Sequence, residues 1–167
     1  HHGVEWTAIL RAAGQYLGAG GNIVSGGSTL TMQVARLIGT QSTRNLEGKL
    51  RQILLAQKLE QSLGKTDILA LYLTLAPYGG NLEGVRAASL AYFGKEPRRL
   101  TVAEAAMLVA LPQLPERRRP DRNPMLAQAA RERVLDRMIG AGVLAEGEAE
   151  RAGLDPIPLK RMALPAL

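Results

Sequence analysis

Apolar residues recur at helical spacing along almost the whole chain, and glycine or proline separates each such segment from the next. No stretch of useful length alternates apolar and polar residues, as a half-buried strand would. The predicted fold class is therefore all-α. The pattern predicts helices over about residues 5–17, 28–38, 46–63, 67–75, 83–93, 101–111, 124–139 and 145–152.

Three helix ends carry specific signals. Gly94 follows an apolar segment and is well placed as a C-terminal cap. Thr101 and Glu104 have the spacing of a capping box. Asn123 before Pro124 has the cap-then-proline order of a helix start. We expect residues 1–153 to form one domain, and the proline-rich stretch 154–167 to be a linker that leaves it.

Composition narrows the class of protein. With 46% hydrophobic and 22% charged residues, the 167-residue chain is long enough and apolar enough for one globular domain. Its formal charge of +6 favours an anionic partner, such as a phosphorylated substrate, an anionic lipid or nucleic acid. Aromatic residues are only 4%, which disfavours a single-strand nucleic-acid reader that needs stacking platforms.

The sequence offers few metal ligands and no membrane span. The absence of cysteine excludes disulfides and thiolate chemistry. The two histidines, His1 and His2, have no carboxylates at ligand spacing, so no metal site built from protein side chains is predicted. No apolar run approaches the ~20 residues of a membrane-spanning helix.

The segment that begins at Gly26 and Gly27 is typical of an anion site. Glycines allow a tight turn, Ser28 or Thr29 can cap the helix that follows, and the first N–H groups of that helix favour an anion. Arg36 follows on the same helix. An ordinary loop-to-helix start is the alternative interpretation. The run Arg117-Arg118-Arg119 between prolines is interpreted as a solvated loop, with a ligand role as the alternative.

The third predicted helix has a polar face. Lys49, Ala56 and Glu60 share that face, and Gln52 lies about 60° to the side. Such a stripe is more often exposed to solvent than catalytic. A role in binding pyrophosphate is the alternative, because basic residues are concentrated just after the glycine turn: Arg36, Arg44, Lys49 and Arg51.

Four segments of this chain resemble motifs of the peptidoglycan glycosyltransferases of family 51, and they occur in the same order as in that family. These enzymes are the polymerising domains of bifunctional penicillin-binding proteins. GGSTLTMQVARL resembles the family's GGST-x-T-x-Q motif. RNLEGKLRQILLAQKLE, KTDILALYLTLAPYGGNLEGVRAASLAYFGK and LTVAEAAMLVALPQLP resemble the third, fourth and fifth motifs. Met32, Gln52 and the APYGG sequence are similar to the 1C class, and the PIPLKR tail looks like the linker toward a transpeptidase domain.

The resemblance implies an all-α, lysozyme-like fold and a specific reaction. A sugar hydroxyl of one lipid-linked disaccharide attacks the anomeric carbon of the growing chain, and polyprenyl pyrophosphate leaves with inversion. It also implies that Gln52 occupies the position of a second acid, where it acts only through hydrogen bonds. The residues implied to contact sugar or pyrophosphate are Ser28, Thr29, Gln33, Arg36, Arg44 and Lys49.

Two departures from the family pattern are visible. Thr74 stands where the fourth motif usually has asparagine. The first motif, Glu-Asp-x-x-Phe-x-x-His-x-Gly, is matched only at its end by His1-His2-Gly3, so its general-base glutamate is expected upstream of His1. We therefore expect the chain as given to bind pyrophosphate ligands without turning them over.

The resemblance also implies cofactors, partners and location. No cofactor is obligatory, although Mg or Mn can accompany the pyrophosphate. The expected partners are lipid-linked disaccharide, the glycan strand, the membrane surface and a transpeptidase domain of the full-length protein, and not nucleic acid. The expected location is the outer, periplasmic face of the bacterial inner membrane, with an anchoring helix outside this chain. A non-catalytic cell-wall scaffold and a basic helical nucleic-acid binder are the alternative functions.

Overall fold

The computed structural model describes residues 30–39 and 46–163, without the side chains of Leu46 and Lys49. Within those residues seven α-helices form and no strand is present, only one antiparallel bridge between Pro77 and Glu83. The predicted all-α class is confirmed. The predicted helix over residues 5–17, the glycine turn, Ser28, Thr29 and Arg44 lie outside the described residues.

Helix bounds agree with the sequence pattern to within about two residues, which is the usual uncertainty of helix ends. Two short 3₁₀ turns, Pro97–Arg99 and Leu111–Gln113, accompany the helices. The helices are α1 (Leu30–Ile38), α2 (Leu46–Ser62), α3 (Lys65–Leu75), α4 (Val85–Phe93), α5 (Val102–Ala110), α6 (Pro124–Gly140) and α7 (Glu146–Gly153).

The first compact unit contains α1, α2 and α3. Helix α1 packs against both of the others, and its buried face carries Val34 and Ala35. From α3, Ile68 and Tyr72 are buried one turn apart. The core of the unit therefore contains Val34 and Ala35 of α1 together with Ile68 and Tyr72 of α3.

The buried face of α2 differs from the one that apolar periodicity predicts. Leu50, Ile53 and Leu54 defined this helix in the sequence, yet Leu50 is 58% exposed and Leu54 is 51% exposed. The buried residues are Gln52 and Ala56, which lie four residues apart on one face. The interpretation of this stripe as solvent-facing is therefore wrong for Gln52 and Ala56. The physical reason is that small Ala56 permits close approach of a neighbouring helix, and Gln52 has a hydrogen-bond partner there.

The second compact unit contains α4 to α7. Alanine-rich α5 is almost wholly buried and packs mainly against α6, with α7 completing the core. The capping box is confirmed, because the Glu104 N–H donates to Thr101 Oγ1 at 3.2 Å and the Thr101 N–H donates to Glu104 at 2.8 Å. Gly94 ends α4 in the left-handed conformation at φ 64°, as a C-terminal cap requires.

The segment after α7 contacts this second unit. The buried Arg131 of α6 donates to the carbonyls of Gly153 and Asp155, both at 2.7 Å. Further along, the Met162 N–H donates to the Ala91 carbonyl at 2.7 Å. Residues 155–162 are therefore held against the helices, and the predicted domain boundary at residue 153 remains a prediction.

Candidate active site

Helix α1 brings together two of the predicted ligand-binding residues. Gln33 and Arg36 are three residues apart and so lie on one face of the helix. Gln33 is half-buried and Arg36 is exposed. Arg36 has no carboxylate at ion-pair distance among the described residues, which leaves its guanidinium available for an anionic ligand.

Tyr72 of α3 lies close enough to Arg36 for the two to interact electrostatically. Burial raises the pKa of the Tyr72 phenol above its usual value, and the positive charge of Arg36 opposes that rise. Tyr72 is a buried core residue of α3. Its proximity to Arg36 gives the exposed guanidinium an aromatic neighbour that stays neutral near pH 7.

Gln52 is bound to the backbone of α1. Its side-chain Nε2 donates to the Met32 carbonyl at 2.6 Å, and only 6% of the residue is exposed. Met32 directly precedes Gln33. The residue at the predicted second-acid position is thus a hydrogen-bond donor between two helices, and its role at that position stays a prediction.

The other predicted site residues are not placed by the structure. Ser28, Thr29 and Arg44 lie outside the described residues. Lys49 belongs to α2, but its side chain is not described. Their contact with sugar or pyrophosphate therefore stays a prediction. Thr74, which replaces the usual asparagine, is exposed on α3, and its hydroxyl donates to the Ala70 carbonyl at 2.8 Å.

A second polar cluster lies in the unit of α4 to α7, around the turn at Gly79 and Gly80. Arg119 donates to Asp121 at 2.5 Å, and Glu116 accepts from the Gly80 N–H. The hydrogen bond from Arg119 is the main reason that the pKa of Asp121 is held below its usual value. We call this set the turn cluster, and its members are Gly79, Gly80, Tyr92, Glu116, Arg119, Asp121 and Arg161.

The arginine run at 117–119 is only partly solvated. Arg117 is exposed, but Arg118 donates to the Ala110 carbonyl at the end of α5 at 2.7 Å. Arg119 is just 8% exposed and paired with Asp121. The solvated-loop interpretation is wrong for Arg119, because an aspartate two residues away neutralises its charge where it is buried.

Sequence reasoning missed one feature of the candidate site and one feature of the turn cluster. The Met32 acceptor is a backbone atom, and side-chain motifs carry no signal for such a partner. Arg161 lies in a stretch that has no helical period, so periodicity gave no reason to place it beside Tyr92. The signal available was the adjacent basic pair Lys160 and Arg161, followed by Met162 in an otherwise proline-rich tail.

The part of the chain that the structure describes shows neither a metal site nor a membrane-spanning helix. In residues 30–39 and 46–163, no three carboxylate or imidazole side chains lie near enough to one another to hold a metal ion. Over the same residues, no helix has both the length and the apolar character needed to cross a bilayer.

Sequence similarity to known proteins extends over the whole chain. The sequence model of the transglycosylase family matches residues 1–139. Penicillin-binding protein 1C of Escherichia coli K12 is 48% identical over 167 residues, which is 100% of this chain and 21% of that protein. Penicillin-binding protein 1A of Aquifex aeolicus is 39% identical over 161 residues, 96% of this chain and 22% of that protein.

Two further proteins are similar to this chain. A putative transglycosylase of Cupriavidus necator is 35% identical over 160 residues, 96% of this chain and 68% of that protein. The crystal structure of penicillin-binding protein 1A from Haemophilus influenzae matches 81% of this chain and 17% of its own, with a TM-score of 0.55 and 25% identity. The chain thus spans about a fifth of the penicillin-binding proteins it resembles.

Proposed function

The chain belongs to the transglycosylase family, the glycosyltransferase domains of penicillin-binding proteins, and on that premise we propose a function in glycan polymerisation. The polypeptide that contains these residues joins lipid-linked disaccharides into peptidoglycan strands and releases polyprenyl pyrophosphate. The observation that carries the proposal is Arg36, an exposed guanidinium without an acidic partner among the described residues, on the helix that follows the family's GGST motif.

The proposed reaction forms one bond and breaks one. A hydroxyl of the acceptor sugar attacks the anomeric carbon of the growing strand, and a glycosidic C–O bond forms with inversion. The bond between that carbon and the pyrophosphate oxygen breaks, and the pyrophosphate leaves with the electron pair. The hydroxyl proton passes to a general base outside the described residues. Gln52 has no ionisable group and is not that base.

Arg36 acts on the leaving group in this proposal. Negative charge grows on the pyrophosphate as the C–O bond breaks, and a guanidinium can bind two phosphate oxygens at once. Gln33, one turn away on the same face, offers an amide that can donate to a sugar or phosphate oxygen. Ser28, Thr29, Arg44 and Lys49 complete the proposed binding site by their positions in the motifs.

A divalent cation is not given a role in this mechanism. The described residues do not fit a protein-bound metal, because they include no suitable cluster of carboxylates or imidazoles. In this proposal magnesium or manganese can accompany the pyrophosphate.

Location and partners follow from the same proposal. The substrate is anchored in lipid, so the polypeptide works at a membrane surface, which we place at the outer face of the bacterial inner membrane. The penicillin-binding proteins that the chain resembles are about five times its length. We propose a transpeptidase domain as the partner in the full-length protein.

The test is incubation of the natural polypeptide that contains these residues with labelled lipid-linked disaccharide. The expected products are glycan strands of increasing length and one polyprenyl pyrophosphate per glycosidic bond. Binding of the substrate without any strand formation would support a scaffold instead. Salt-sensitive binding to duplex DNA, with no affinity for the lipid substrate, would support the nucleic-acid alternative.

A further inference from the structure

Gln52 makes a specific hydrogen bond to the backbone of α1. Its Nε2 lies 2.6 Å from the Met32 carbonyl oxygen, and the residue is 6% exposed. A carbonyl oxygen only accepts hydrogen bonds, so the group that faces it must be a donor. An ionised carboxylate, which only accepts, cannot make this contact.

The acceptor lies in the turn of α1 that carries the proposed ligand-binding residues. In an α-helix the carbonyl of residue 32 also accepts from the N–H of residue 36, and a carbonyl has two lone pairs for two donors. Gln52 therefore holds the helical turn between Met32 and Arg36. Gln33 and Arg36 project from that same turn.

We propose that Gln52 is a positioning residue for glycan polymerisation, whose amide donates to the Met32 carbonyl and fixes the turn that carries Gln33 and Arg36. The inference rests on the proposed function. It assigns to this position a neutral donor, in place of the acid that most members of the family have there. Orientation of Arg36 affects bond cleavage most, because the pyrophosphate gains charge only as it leaves.

Two variants distinguish a hydrogen-bond donor from an ionised acid at position 52. Gln52→Met keeps the length of the side chain and removes the donor. Gln52→Glu places a carboxylate against a carbonyl in a buried setting, which raises the pKa of that carboxyl group, and its protonated form can again donate. The matched control is Gln57, which is exposed on the same helix, changed to Met and to Glu.

Charged groups on the helices packed against α2 affect the pKa of the carboxyl group that Gln52→Glu introduces. Helix α1 carries Arg36, and α3 carries Lys65, Asp67 and Tyr72. Arg36 would favour the ionised form of the new carboxylate, while the Met32 carbonyl in direct contact would disfavour it. The α2 ion pair of Arg51 with Glu47, at 2.5 Å, is exposed and largely screened by solvent. We expect the direct contact to dominate.

The experiment measures kcat and KM for polymerisation by the natural polypeptide, from about pH 8 to about pH 5.5, with circular dichroism at each pH. Gln52→Met should lower kcat about tenfold with little change in KM, and the Gln57 variants should match the unsubstituted protein. Gln52→Glu should be as impaired as Gln52→Met near pH 8. The kcat of Gln52→Glu, relative to that of the unsubstituted protein, should rise as the pH falls.

Several outcomes overturn the proposal. If the kcat of Gln52→Glu near pH 8 equals or exceeds that of the unsubstituted protein, the position is suited to an acid and not to a neutral donor. Gln52→Met with unchanged kcat would remove the positioning role. Failure of both variants to fold, while the Gln57 variants fold, would make Gln52 purely structural. If the unsubstituted protein itself forms no glycan, the proposed function fails, and that result is distinguishable from the others.

Discussion

The guanidinium of Arg161 lies over the ring of Tyr92, 5.1 Å from its centroid, and also donates to the Tyr92 hydroxyl at 2.6 Å. It donates as well to the Gly79 carbonyl at 2.8 Å. Tyr92 in turn donates to the Tyr78 carbonyl at 2.9 Å. One side chain from the segment after α7 thus joins the end of α4 to the turn that follows α3.

Loss of Arg161 should therefore destabilise the fold. Arg161→Ala should lower the free energy of unfolding by about 2 kcal/mol, because two hydrogen bonds and a cation–π contact are lost at a site that is 19% exposed. Chemical denaturation measures the change. Lys160→Ala is the matched control, since Lys160 is the exposed neighbour. Equal effects of the two substitutions would contradict the structural role of Arg161.

Asp121 should make stability depend on acid pH. Its pKa is lowered in the folded state, chiefly by the hydrogen bond from Arg119. A carboxylate with a lowered folded pKa contributes stability above its unfolded pKa of about 3.9, and that contribution is lost as the pH falls through the folded value.

Asp121→Asn should therefore be less stable than the unsubstituted protein at about pH 6, and the difference should shrink toward about pH 2. Urea denaturation across this range measures it. The control is Asp136→Asn, because Asp136 is exposed on α6 and outside the turn cluster. A difference that stays constant with pH would show that the pairing with Arg119 does not act through charge.

Gly79 should tolerate substitution less well than another glycine of similar backbone conformation. Both Gly79 and Gly142 have positive φ, 98° and 68°. A Cβ at Gly79 would lie 2.8 Å from the Pro115 carbonyl oxygen and 2.6 Å from Arg119 Cγ, whereas nothing lies within 4 Å at Gly142.

Gly142→Ala should therefore show backbone strain alone, about 1 kcal/mol, and Gly79→Ala should cost at least about 2 kcal/mol more. Thermal unfolding of the two variants, compared at one temperature, provides the measurement. Equal losses would mean that the turn moves away from Pro115 at no cost.

Much of the helical framework was predictable from local sequence. The capping box at Thr101 and the cap at Gly94 are local signals, and both are confirmed. The buried face of α2 was not predictable, because Leu50 and Leu54 outweigh Ala56 on any hydrophobic scale but are exposed. Burial there depends on which side a neighbouring helix approaches, and that is a property of tertiary structure.

The candidate site was predictable only in part, for a related reason. The motifs predicted that Gln33 and Arg36 contact the ligand and that Gln52 occupies the second-acid position. The donor role of Gln52 depends on a backbone carbonyl twenty residues away in the sequence, which no side-chain motif encodes. The roles of Ser28, Thr29, Arg44 and Lys49 stay predictions.

Arg36 provides the most direct test of the account, whose central claim is that its guanidinium binds the departing pyrophosphate during glycan polymerisation. The measurement is kcat/KM for lipid-linked disaccharide by the natural polypeptide, with Arg36→Ala and, as the charge-matched control, Arg133→Ala at an exposed position on α6. Arg36→Ala should lower kcat/KM about fivefold to about 150-fold, equivalent to a loss of about 1–3 kcal/mol of transition-state stabilisation, and Arg133→Ala should leave it unchanged. Equal kcat/KM values for the two folded variants would contradict the claim.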